Sequence, residues 1–182
     1  MTAWKSVEVR LSQQKKNIPY AADAANDVHQ VIWLSKEPQR IDEIPELNRD
    51  PELKSVVKEI NSPGCRFETF RCGSLTEEDE GKFYSNFNIG LIYRDRRAFA
   101  DYGAQLMVAG EILGFSTDSD IFPASSRTFL IEIQQVNLTT EGIQGWTVDL
   151  WYRCAGETAQ EATNQATRAL SFLKNVLSAK YP

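Results

Sequence analysis

Near the start of the chain apolar and polar side chains alternate. Val7, Val9 and Leu11 are interleaved with Ser6, Glu8 and Arg10, the period of two that predicts a strand. From about Tyr20 to Ser35 the spacing changes: Ala21, Ala25, Val28 and Ile32 form one helical stripe opposite Asp23, Asp27 and Gln30. Pro38 and Pro45 break the pattern. A second helix is then predicted after Asp50-Pro51, with aspartate as cap and proline in the first turn. Its apolar positions are Leu53, Val56, Val57 and Ile60, and Ser62-Pro63-Gly64 ends it.

Beyond Cys65 the period returns to two. A strand over 65–72 is followed by an acidic run (Thr76 to Gly81) expected as a loop, and then by a longer strand from Phe83 to Arg94. Phe83, Phe87, Ile89, Leu91 and Tyr93 fall on one face of it, and Asn86, Asn88 and Arg94 on the other. This is the alternation of an antiparallel sheet with one wetted face. Asp95 is placed to cap a third helix with Phe99, Tyr102, Leu106 and Leu113 on its buried stripe, Gly103 and Gly110 beside them, and Gly114-Phe115 as its stop. A hairpin over 128–138 and 146–155 follows. Thr158-Ala159-Gln160-Glu161 is a capping box that opens a long last helix with the stripe Ala162, Ala166, Ala169, Leu170, Leu173 and Leu177.

These elements predict an α+β fold over 1–182 as a single domain, an antiparallel β-sheet with helices packed on one face. The order hairpin–helix occurs twice, and both second strands end in Leu-x-Tyr-Arg: Leu91 to Arg94 and Leu150 to Arg153. A duplicated ββα unit accounts for this. The alternative is a helix-grip-like curved sheet around the C-terminal helix.

At 182 residues, with 42% hydrophobic and 25% charged side chains, the chain can bury a core without staples. The net charge is −5 with lysine and arginine scattered among a larger number of acids, so no phosphate-tracking basic field is present and no nucleic-acid partner is expected. No apolar run reaches membrane-spanning length, and no membrane partner is expected either. The three cysteines Cys65, Cys72 and Cys154 are an odd set without a close pair. That count speaks against a secreted disulfide framework and, with an N-terminus lacking an apolar signal core, places the chain in the cytoplasm.

Candidate chemistry is sparse. His29 is the single histidine, and packing in the first helix accounts for it better than catalysis does. A zinc site would have to gather His29 and all three cysteines from distant segments. Cys72 is the most exposed candidate for a thiolate. Glu77 to Glu80 and Asp118 to Asp120 lack the ligand order of a calcium loop, and Gly73, Gly81 and Gly90 lack phosphate-loop spacing. No catalytic residue, metal site or cofactor is assigned.

Two clusters remain. Arg94, Arg96 and Arg97 sit at a helix start, where positive charge opposes the helix dipole. With Arg153, Tyr93 and Tyr152 they form a candidate site for an anionic ligand. The second cluster is apolar or aromatic at positions expected to face outward: Tyr84, Ile92 and Trp151 on the sheet, Val108 and Ile112 on the third helix. The leading functional expectation is a non-catalytic, self-associating protein-interaction module, a homo-oligomer or the partner of another protein. The alternative is a small-molecule binding protein or enzyme with a pocket between sheet and helices.

Overall fold

The computed structural model describes residues 5–19, 31–118 and 127–178. The stripe placed between Tyr20 and Ser35 lies for the most part outside the described residues, as does His29. Six strands form one mixed sheet. Its path is β1 (Lys5–Leu11), β5 (Arg127–Leu138), β6 (Ile143–Gly156), β4 (Lys82–Tyr93) and β3 (Phe67–Asp79), and β2 (Lys16–Ile18) also pairs with β5. Each of the four long strands is antiparallel to its neighbour among them, whereas β1 and β2 run parallel to β5. Chain order gives ββα twice: β3 and β4 lead into α3 (Arg96–Ala100) and α4 (Tyr102–Asp118), and β5 and β6 into α5 (Ala159–Ser178).

Local chemistry accounts for the element ends. α2 (Pro51–Ile60) starts at Asp50, whose carboxylate accepts from Leu53 N at 2.9 Å. It ends on Asn61, buried, whose amide donates to Val57 O and Thr69 Oγ1 and accepts from Thr69 N, tying the helix end to β3. The capping box of α5 forms: Thr158 Oγ1 accepts from Glu161 N, while the Glu161 carboxylate accepts from Glu157 N, one residue earlier than the usual reciprocal bond. α1 (Pro45–Arg49) is a short turn of helix before α2.

Two sequence expectations shift. The acidic run is not a loop: β3 continues through Asp79 and the hairpin turns on Glu80-Gly81, both at positive φ, as a two-residue hairpin requires. The expected third helix is two helices. Asp101 interrupts it and its carboxylate accepts from Gly103 N at 2.8 Å, restarting the chain as α4. The break rotates the register. Val108 and Ile112 are therefore fully buried, Leu106 is exposed with Met107, and Gly103, Gly110 and Gly114 lie on the exposed side. Gly114 does not end the helix, which runs on to Asp118.

The inner sheet face carries Phe87, Ile89 and Leu91 of β4, Val148, Leu150, Tyr152 and Cys154 of β6, and Phe129, Ile131 and Ile133 of β5, all buried. α5 packs here with its predicted stripe buried, beside α2 and α4; Tyr102 of α4 packs against Trp146 at 4.8 Å between centroids, the rings tilted by 50°. The helix thus shares its face with two others instead of being gripped alone. Among the described residues no helix is long and apolar enough to cross a membrane.

Candidate functional site

The outer sheet face divides into two halves. Toward the β5–β6 turn its side chains are covered: Glu68, Ile92, Gln134, Thr147 and Asp149 are buried, and Ser35 donates a hydrogen bond to Glu68. Toward the β3–β4 turn the face is open. A groove of about 610 Å³ runs across it, with Leu75 of β3, Asn86 and Asn88 of β4, Trp151 and Arg153 of β6, and Leu130 of β5 along its walls. It lies on the face turned away from α2, α4 and α5, with Glu46 of α1 at its β3 side.

A β-bulge builds the boundary between the halves. Between Thr69 and Arg71 the β3 register slips by one residue, so that Phe70 and Arg71 both stand against Gly90. Only glycine fits there without a shift of its neighbours: a Cβ would come within 2.5 Å of the Phe70 ring and 2.7 Å of Arg71 Cγ. The released arginine reaches along the face. Its Nε donates to Asp149 Oδ1 at 2.9 Å, and its guanidinium lies 4.6 Å from the Trp151 ring centroid and 5.7 Å from that of Phe70. Trp151, 36% exposed, is thereby held flat at the groove edge by a planar cation.

Asp149 is 1% exposed. Burial raises its carboxyl to about 6, against the opposing pull of Arg71. Among the described residues its Oδ2 and the Arg71 Nη2 have no hydrogen-bond partner. Asp149 does not line the groove, so its role is to fix Arg71. At the other end Arg153 lies 4.3 Å over the Tyr84 ring and 3.7 Å from Glu77.

The expected anion cluster does not assemble. Arg94 donates through Nε to Phe67 O. Arg96 bridges Glu68 and Glu141 and also donates to Tyr93 O; its hydrogen bonds hold the Glu141 carboxyl below the ordinary range. Arg97 pairs with Asp95, whose carboxyl is lowered first by the Arg97 backbone N–H and then by its side chain. Arg153 stands opposite Asn86, eight positions along β4 from Arg94, or about 26 Å at strand rise. Antiparallel pairing of β4 with β6 sends the equivalent ends of the two ββα units to opposite ends of the sheet. Tyr93 and Tyr152 are buried in the core, on Phe67 and Phe87 respectively.

Of the expected interface residues, Trp151 and Tyr84 lie on the open half of the outer face, while Ile92 is buried beneath its covered half. The residues that sequence reasoning missed are Arg71 and Leu75. Arg71 belongs here only because of the bulge, which no periodicity announces. Leu75 could have been found by extending β3 through the acidic run.

Cys72 is half-buried, and burial, followed by the nearby Glu46, pushes its thiol up to about 12. Among the described residues no group of histidine, cysteine and acidic side chains could hold a metal ion. In comparisons with known proteins, the chain matches no family model, no curated protein and no solved structure.

Proposed function

We propose that the protein is a non-catalytic interaction module that takes an apolar segment of a partner protein in the open groove of its outer sheet face. The carrying observation is Trp151, about a third exposed on a rigid strand and clamped by Arg71, with Leu75 59% exposed across the groove. A large aromatic beside arginine on a pre-ordered surface is the usual composition of a binding hot spot, because little side-chain entropy remains to be lost. Asn86 and Asn88 add amides that can pair with the backbone of a bound segment.

Selection from a displayed peptide library against the immobilised protein tests this reading. The expected peptides carry aromatic or branched apolar residues, and their binding is lost in Trp151→Glu and in Leu75→Glu without loss of folding. Peptides that bind both variants as well as the parent would remove the groove from consideration.

A second reading, binding of a small anionic molecule, keeps one support. Arg153 is half exposed, lies flat on Tyr84 and, among the described residues, has only a long ionic contact, to Glu77 at the rim. Native mass spectrometry separates the two readings: a reproducible small added mass that disappears in Arg153→Gln favours the molecule.

A further inference from the structure

Strand β1 ends the sheet, and among the described residues nothing pairs with its outward side. Such an edge is a template for another strand. On β1 its apolar residues are open to solvent: Val7 is 39%, Val9 40% and Leu11 50% exposed. They share the side of the sheet on which α4 packs against β1 and displays Leu106 and Met107. Glu8 and Arg10 alternate with them on the outer face, Arg10 bridged to Glu132 at 3.1 Å.

The direction of the backbone groups limits what can add to this edge. Ser12 N donates to Ile133 O, so even-numbered residues of β1 turn their N–H and C=O toward β5. Val7, Val9 and Leu11 turn theirs outward. An antiparallel strand related by a two-fold axis at Val9 then has three matched pairs, Val9 with Val9 and Val7 with Leu11 twice, each exchanging backbone hydrogen bonds. Between them Glu8 of one strand faces Arg10 of the other, twice. Other centres fail: on Glu8 or Arg10 the two-fold places like charges opposite each other, and on Val7 or Leu11 it leaves both charges without an opposite partner. The segment Val7-Glu8-Val9-Arg10-Leu11 is self-complementary in hydrogen bonding, charge and apolar contact in one register only.

We infer that β1 pairs with β1 of a second copy of this chain, antiparallel about Val9, joining two sheets into one and bringing the apolar faces of β1 together beneath the two α4 helices. An isologous two-fold contact of this kind closes on itself and stops at a dimer. The surface is separate from the outer groove, which stays open in the dimer.

Sedimentation and native mass spectrometry at about 100 μM, enough to populate a dimer of micromolar Kd, are expected to give twice 20.6 kDa. Val9→Pro should return the mass to one chain with unchanged circular dichroism, because the N–H it removes points away from β5. Opposed Val9 Cα atoms would stand about 5.5 Å apart, within disulfide range, so Val9→Cys should cross-link to itself on mild oxidation and Glu8→Cys should not. A single-chain mass for the parent overturns the inference. So does a dimer that survives Val9→Pro but is lost in Met107→Glu, or a Glu8→Cys cross-link as efficient as that at Val9. If Val9→Pro does not fold, the two cysteine variants decide alone.

Discussion

Arg71 lies 4.6 Å from the centre of the Trp151 ring while its Nε holds Asp149 at 2.9 Å. One arginine therefore connects a carboxylate buried within the sheet to the aromatic edge of the groove. It can do both because the bulge at Phe70 frees it from the regular pleat.

Arg71→Met is expected to cost roughly 3 kcal/mol at pH 7, since it leaves a buried carboxylate unpaired. The double change Arg71→Met with Asp149→Leu should recover most of that loss, because an apolar pair replaces the ion pair. Urea denaturation of the four proteins checks it. Strictly additive losses would mean that the pair is not coupled.

Stability should carry the mark of Asp149 in its pH dependence. The folded carboxyl titrates near 6 against an ordinary 3.8. Between those values the folded chain keeps a proton that the unfolded chain has released. The contribution is therefore present below about pH 4, declines as pH rises, and is gone above about pH 6. Across that window the parent should lose roughly 3 kcal/mol relative to Asp149→Asn. A pH-independent difference between the two would place the carboxyl at its ordinary value.

Two glycines are predicted to differ in how they tolerate a methyl group. At Gly90 the obstruction is the Phe70 ring and the Arg71 side chain, at Gly145 the Phe99 ring and also the Phe99 carbonyl oxygen at 2.5 Å. Side chains can yield and backbone cannot. Gly90→Ala should cost about 1–3 kcal/mol and be partly rescued by Phe70→Leu. Gly145→Ala should cost more, and Phe99→Leu should not rescue it. Thermal melts of the four variants decide.

Two of the thiols should resist reagent. Cys154 is buried, with its Sγ against Ala162 O at 3.2 Å, and the Cys72 thiol is pushed up to about 12. Alkylation at pH 8 with mass mapping should find both slowed by about 100-fold or more relative to the urea-unfolded chain. Rapid labelling of Cys72 in the native protein would contradict its environment.

Much of the fold was legible along the chain. The α5 stripe from Ala162 to Leu177, the Asp50 cap of α2, and the inward row Phe87, Ile89, Leu91 each follow from periodicity and capping, which act over a few residues. The edge strand is another such case: the alternation of Val7, Val9 and Leu11 is visible at once, and so is its charge pattern. The α3–α4 break was missed because a single aspartate, Asp101, competes with helix continuation through its own side chain, and one residue there rotates every later position. Val108 and Ile112 went to the wrong face for that reason.

The sequence by itself determined the class of fold, the strands and helices and most of the buried face, since these follow from local hydrogen bonding and from which side chains avoid water. Tertiary structure alone decided the rest. The parallel placement of β1 and β2 on β5, the meeting of Arg71 with Asp149 from 78 residues away, and the separation of Arg94 from Arg153 all depend on strand order and register. Those are set by the packing of the whole sheet against its helices, which no local pattern encodes.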